Sequence, residues 1–416
     1  MGHGGLPEGV AQEVAKAART RDAGPDDDVA GVPAALVAAP TSAEEVAEVL
    51  RVADGNDLAV VARGASTTLG WGAPPEQADL VLDMTGVTGV VEHAAGDLVV
   101  AVRAGTTMSE LQSVVAEAGQ QLALDSPYPA ATVGGTLAVS TSGPRRLLYG
   151  TARDLLIGVT FVRADGVVAK AGGKVVKNVA GYDFGKLLAG SYGTLGVITE
   201  AVFRLHPLPA ARRVVTATYG DAVAAGRAAL DVLGSQVVPT AVELDGPRDA
   251  VRVTVLVEGV EAGVDARSDT LLSLLGHGAV AHDDPPPGFG ALPFAAGGTG
   301  LKVTTSLTGV GPVLAAAHRL ADEQGLELRV GGSAAGVLHA GLAADADVAA
   351  VAPLVEGLRA ATASYDGTVT VLTAPAAVRA AVDPWGPVPG IDLMRRLKAE
   401  LDPRRRLSPG RFVGGI

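Results

Sequence analysis

Three glycine-rich stretches carry most of the chemistry open to this sequence. The first, Arg63-Gly64-Ala65-Ser66-Thr67-Thr68-Leu69-Gly70, follows directly on a β-like run at 57–63. A strand fixes one end of such a loop, and small residues let successive backbone N–H groups converge on one anion, a nest suited to a diphosphate. The hydroxyls of Ser66, Thr67 and Thr68 add donors. Taken alone, the segment reads equally well as a hairpin loop. The second stretch runs from Asp125-Ser126-Pro127-Tyr128 to Thr132-Val133-Gly134-Gly135-Thr136, then to Ser140-Thr141-Ser142-Gly143-Pro144-Arg145-Arg146. The third is Gly190-Ser191-Tyr192-Gly193-Thr194-Leu195-Gly196-Val197-Ile198. None fits the phosphate loop G-x4-G-K-[ST], and GSYGTLG opens a strand where a dinucleotide fingerprint would open a helix.

Charged and ring side chains offer a second set of candidates. Arg145 and Arg146 suit an anion, or else form a surface or subunit-interface pair. Lys177 suits a cofactor or partner contact, or else a solvated loop. Lys302 lies on a strand whose facing side the sequence leaves open. Of the histidines, His3 is terminal, His206 sits in a Pro-rich stretch and His318 lies in an Ala-rich helix; His93, His277, His282 and His339 complete the set. Trp71 and Tyr182 either border a cofactor ring or fill a core or hinge. Cysteine is absent, so this chain alone holds no disulfide, Cys-ligated zinc or iron–sulfur cluster. Redox chemistry here calls for an organic cofactor or a partner.

The elements that must position these residues follow from pattern. At 416 residues the chain exceeds one ordinary core, so two domains are expected. Hydrophobic residues at 48% against 19% charged give a globular balance. A net charge of −12 with 3% aromatics argues against nucleic acid as a partner. No apolar run approaches the ~18 residues of a membrane span, and MGHGGLPEGV has no signal-peptide pattern, so the expected location is the cytoplasm. Asp26-Asp27-Asp28 reads as a solvated loop. The stretch 35–56 reads as strand, turn and helix, with Thr41 or Ser42 as cap. Strands are predicted at 57–63, 80–84, 97–105 and 194–203, a helix near 106–119, and a hairpin at 154–172 turning at Asp165-Gly166. His206-Pro207-Leu208-Pro209 reads as an exit linker. Beyond about 213, strands and helices alternate in an α+β pattern, and the tail from 389 reads as a helix followed by a Pro/Gly turn.

In order and spacing the three glycine segments resemble the FAD-binding domain of the vanillyl-alcohol oxidase/para-cresol methylhydroxylase (PCMH) superfamily. The likeness spans about 31–209 and the tail Leu401-Asp402-Pro403…Leu407-Ser408-Pro409-Gly410-Arg411-Phe412, where Ser408 replaces the family's usual Asn. Gly143-Pro144-Arg145-Arg146 and Lys177-Asn178-Val179-Ala180-Gly181-Tyr182-Asp183 are similar to the second FAD-binding (E) subunit of bacterial glycolate oxidases. The resemblance implies an α+β fold in two parts. An FAD-binding domain would take 1–209, an inserted α+β cap 210–385, and the segment 386–416 would return to the FAD domain. It implies FAD held at Arg63, Gly64, Ala65, Ser66, Thr67, Thr68, Pro127, Thr132, Gly134, Gly135, Ser140, Thr141, Ser142, Gly143, Gly193, Gly196, Val197 and Ile198. Ser66 and Thr67 stand where many relatives attach FAD covalently through His, so a non-covalent flavin is expected.

The implied reaction is oxidation of glycolate or a related 2-hydroxy acid with hydride transfer to flavin. It needs a cation for the carboxylate and a base for the hydroxyl proton. Arg145 and Arg146 are candidates for the first role and His339 for the second. The larger catalytic subunit of this family carries G-H-x-G-D-G-N-L-H with metal-binding histidines. Here Gly332-Ser333-Ala334-Ala335-Gly336-Val337-Leu338-His339 keeps only the last His, and no bound metal is expected. The implied partners are a larger FAD subunit and an iron–sulfur subunit, with membrane association only through them. The alternative is a non-catalytic electron-relay or assembly subunit whose partner performs the oxidation.

Overall fold

The computed structural model describes residues 6–173 and 182–416. Helices and strands are mixed, in an α+β fold of the PCMH type, and the chain divides into two compact units. The first comprises 1–141, 151–208 and 388–416; the second comprises 142–150 and 209–387.

In the first unit a four-stranded sheet runs Arg19–Asp22, Leu36–Ala39, Leu80–Asp83, Val60–Arg63, the last three mutually parallel. Parallel neighbours need a crossover, and the helix Ala43–Gly55 supplies it between Leu36–Ala39 and Val60–Arg63. Its apolar residues Val46, Val49, Leu50 and Ala53 fall at helical spacing and bury against Leu36, Ala38, Val60, Leu80 and Leu82. The Ser42 hydroxyl caps it, accepting from Glu45 N at 3.2 Å, while Glu45 accepts from Thr41 N at 2.7 Å. A five-stranded antiparallel sheet, Val90–Ala94, Val99–Arg103, Val197–Arg204, Leu156–Val162 and Val168–Gly172, builds the second core of this unit. The C-terminal segment is bonded to the edge strand: Val60 N donates to Arg406 O at 2.7 Å and Ser408 N to Val60 O at 2.8 Å.

The second unit is built on an antiparallel sheet of eight strands among the described residues. Alternation decides its faces. Val251, Val253, Val255, Val257, Leu301, Val303, Leu338 and Ala340 enter one core with the helices Ala222–Leu233, Glu261–Leu275, Val310–Glu323 and Val348–Ala363. Lys302, His339, Glu243 and Glu258 therefore belong to the opposite face.

Two local readings are corrected, and one helix is added. Asp27 is 3% exposed rather than solvated, because the Arg21 and Arg63 guanidiniums enclose its carboxylate. His206–Pro207 is a short strand paired with Gln120–Gln121 rather than a bare linker; Pro207 occupies an edge, where its missing N–H costs nothing. The polar N-terminal stretch contains the helix Glu8–Ala17, which buries Val14 against the helix Ala43–Gly55; one apolar contact line was too little pattern to reveal it.

Candidate functional site

The first unit holds a groove lined by all three glycine segments, with about 810 Å³ of atom-free space counting the solvent it opens to. The loop Gly64–Trp71 leaves the strand Val60–Arg63 and turns at Ser66, whose φ is +61°. It closes on itself through Leu69 N to Ser66 O (3.3 Å) and Trp71 N to Thr68 O (3.0 Å). The N–H groups of Ala65, Ser66, Thr67 and Thr68 take no acceptor among the described residues, and neither do the three hydroxyls. Consecutive unclaimed donors on a turn are what an anion would fill. Gly64 is required here, because a Cβ would overlap the Thr132 hydroxyl.

Thr132 caps the short helix Val133–Val139, accepting from Gly135 N at 3.2 Å. Gly134 lies flat on the chain, with its N donating to Ala104 O at 2.8 Å and room for a Cβ only 2.9 Å from the Ala104 Cβ. The third segment is bonded to the end of that helix: Gly190 N donates to Leu137 O (2.9 Å) and Tyr192 N to Ala138 O (2.8 Å). Carbonyls that a helix leaves unsatisfied thus hold the turn that feeds the strand Val197–Arg204.

Of the residues expected at a cofactor, Arg63, Gly64, Ala65, Ser66, Thr67, Thr68, Thr132, Gly134, Gly135, Gly193, Gly196, Val197 and Ile198 line the groove. Pro127, Ser140 and Thr141 do not, and Ser142 and Gly143 belong to the other compact unit. Ser140 ends the helix in a left-handed conformation, and Thr141 N bonds back to Thr136 O at 3.2 Å. Arg63 lines the groove, yet its guanidinium is buried between Asp27 (2.7 Å) and Asp83 (2.8 Å). The Arg21 contact above all holds the Asp27 carboxyl well below the usual range. Burial alone would raise Asp83, but Thr85 and Arg63 hold it down.

Sequence reasoning missed Met84, Ala104, Ser191, Tyr192 and Arg411 in the lining. Ser191 and Tyr192 stand inside a recognised turn, so adjacency was a usable signal. Tyr192 sits at φ +56° with its ring 5.7 Å from Phe412, and burial pushes its phenol up to about 12. Trp71 is in the core, edge-on to Tyr128 at 6.5 Å. Tyr182 is 86% exposed, and Lys177 lies outside the described residues.

The second unit assembles a different site. Lys302 and His339 are directly opposed on neighbouring antiparallel strands, so they share a face. Arg146, at the start of the helix Arg146–Tyr149, acts on both. Burial, then Arg146, pushes the Lys302 ammonium down to about 8. Burial, then Lys302 and Arg146, pushes His339 down to about 3. Arg145 instead neighbours Tyr149, whose phenol is raised by burial and by Glu258. Neither Lys302 nor His339 has a hydrogen-bond partner among the described residues, so a carboxylate placed between them would meet two donors. The other described histidines serve elsewhere, as His93 does in bonding Gln120 at 2.9 Å and His282 in bonding Thr216 at 3.1 Å. Among the described residues no group of three or more His, Cys, Asp or Glu is placed to hold a metal ion, and no helix is long and apolar enough to cross a membrane.

Comparison with known proteins agrees with the groove. Residues 34–172 match the FAD binding domain family, and 379–412 match the C-terminal domain of FAD linked oxidases. Glycolate oxidase subunit GlcD of Bacillus subtilis is 33% identical over 213 residues, which is 51% of this chain and 45% of that protein. Glycolate oxidase subunit GlcE of Escherichia coli is 39% identical over 132 residues, 31% of this chain and 38% of its own. D-lactate dehydrogenase of Archaeoglobus fulgidus is 37% identical over 172 residues, 41% and 39% of the two chains. The chain spans about half the length of the curated relatives it matches. In fold it is similar to alkyldihydroxyacetonephosphate synthase, with a TM-score of 0.69 at 18% identity, covering 91% of this chain and 76% of that one.

Proposed function

The chain belongs with the FAD-binding oxidoreductases of the vanillyl-alcohol oxidase/PCMH type, and on that premise we propose that it is a glycolate-oxidase-like subunit oxidising glycolate or a related 2-hydroxy acid. The fit to FAD rests on the groove's own chemistry: unclaimed donors from Ala65 to Thr68 for the diphosphate, in a groove whose lining includes the glycines at 64, 134, 135, 193 and 196. Bound non-covalently there, the flavin supplies the hydride acceptor. We further propose the division of the chain into a discontinuous FAD domain and a cap, with the acid's carboxylate held by the cap.

The observation that carries this reading is the opposed pair Lys302 and His339 with Arg146 beside it. With its ammonium near 8, Lys302 is about nine-tenths protonated at neutral pH and supplies the carboxylate's cation. At about 3, pushed down by burial and by the neighbouring Lys302 and Arg146, His339 is neutral but a poor base. A bound carboxylate screens both and returns basicity to the imidazole, so His339 becomes able to take the hydroxyl proton once the acid is in place. Arg146 keeps its cation role, whereas Arg145 neighbours Tyr149.

The test is anaerobic mixing of the purified, FAD-loaded chain with glycolate and with D-lactate. Bleaching of the flavin by the isolated chain is expected. Bleaching only after a larger FAD subunit is added would transfer the oxidation to that partner and leave this chain an electron-relay or assembly subunit. The likeness to GlcE, a subunit by its name, is what keeps that second reading in play.

A further inference from the structure

Lys302 has features that holding a carboxylate does not by itself require. Its amine has no hydrogen-bond acceptor among the described residues. Lys398, buried in the first unit, is by contrast fully engaged, donating to Thr194 O (2.8 Å), Leu407 O (2.9 Å) and Asp402 Oδ2 (2.6 Å). Register sets Lys302 opposite His339 on one side and Thr370 on the other. Two residues along, the same register pairs Gly300 with Gly341. Pro293 and Phe294 pack directly on that glycine pair: a Cβ at Gly300 would overlap the Phe294 ring, and one at Gly341 the Pro293 carbonyl. This close approach removes water from one side of the Lys302–His339 pair, yet both side chains keep part of their surface open. Burial, then Arg146, favours the uncharged amine, and although Glu243 and Glu258 share this face the balance leaves Lys302 at about 8. A desolvated amine beside another cation is a nucleophile as well as a charge. Oxidation of a 2-hydroxy acid turns C2, the carbon bonded to the carboxylate, into a carbonyl carbon within reach of whatever holds that carboxylate.

We propose that Lys302 captures the 2-oxo acid product as a reversible imine, with His339 as the proton carrier, so that the chain is held by its own product. The proposal rests on the 2-hydroxy-acid reading of this site. The Lys302 nitrogen bonds to C2 while the carbonyl π bond opens to a hydroxyl group. His339 takes the proton from the nitrogen and returns it to that hydroxyl, which leaves as water while the C=N bond forms. No electrons are transferred, and water reverses the sequence.

The test incubates the FAD-loaded chain anaerobically with glyoxylate and cyanoborohydride, which reduces imines to stable secondary amines, and maps the adduct by peptide mass spectrometry. At a pH of about 8, roughly half of Lys302 is free base against less than ~1% of an ordinary lysine, so its labelling is expected to run at least about tenfold faster than that of the exposed Lys16, Lys170 and Lys186. Excess glycolate is expected to slow the labelling of Lys302 and to leave those three unchanged. His339→Gln is expected to slow the adduct about tenfold or more while the surface lysines react as before. Labelling of Lys302 no faster than that of the exposed lysines would overturn the proposal. So would fast labelling that glycolate leaves unchanged while bleaching the flavin, since the amine would then react outside the acid's site. A flavin that glycolate does not bleach, with or without a larger FAD subunit, would overturn the substrate reading itself, a distinct result.

Discussion

The groove of the first unit and the polar sheet face of the second are built from opposite materials. The groove is backbone: glycines, small residues and unclaimed N–H groups, within loops continuous in sequence. The sheet face is long side chains drawn from three distant places: strand register opposes Lys302 and His339, and a short helix adds Arg146. A backbone site tolerates little change in shape but carries little net charge of its own. A side-chain site tolerates shape but answers to every charge and to pH. The two should therefore fail separately and in different ways.

The largest break is expected at the foundation of the groove. Asp27→Asn leaves Arg63 with one carboxylate instead of two and should cost about 3 kcal/mol of stability, read as a lowered denaturation midpoint. A variant as stable as wild type would show that Asp83 alone suffices. Next, Gly64→Ala forces a Cβ onto the Thr132 hydroxyl, at a cost of about 1–3 kcal/mol and most of the bound flavin. Adding Thr132→Ala should return part of the flavin content, because the overlap is with that hydroxyl; no recovery would place the strain elsewhere.

On the second unit, Lys302→Met should raise KM for the acid about 10- to 100-fold, with flavin content unchanged. A parallel loss of flavin would deny that the two sites are separable. The remaining test is the pH response. Lys302 titrates near 8 when folded against 10.5 ordinarily, so the unfolded chain binds the extra proton between those values. Stability should thus rise gently from pH 8 to 10, while acid binding weakens over the same range as the ammonium is lost. FAD affinity should stay flat across that step, and Lys302→Met should abolish it. A step that survives the substitution belongs to another group.

How much was legible in the sequence follows the same division. Gly64, Gly134, Gly193 and Gly196 line the groove as local pattern suggested, since a glycine's role is set by its immediate turn. Pro127, Ser140, Thr141, Ser142 and Gly143 stand outside the groove's lining, and the chain takes a left-handed turn at Ser140. Arg63 looked like a phosphate ligand beside a glycine, but its partners Asp27 and Asp83 lie 36 and 20 residues away. Arg411 was visible in a tail motif, though not as a groove residue. The carbonyls of Leu69 and Trp71 to which it donates lie more than 300 residues upstream, a distance no local pattern spans.

The sequence by itself determined the strand ends, the glycine turns and the absence of thiol chemistry, because each depends on neighbours along the chain. Tertiary structure alone decided that two distant carboxylates enclose Arg63 and which strand residue faces His339. Charge is cancelled, and register is chosen, by groups that meet only when the chain has folded.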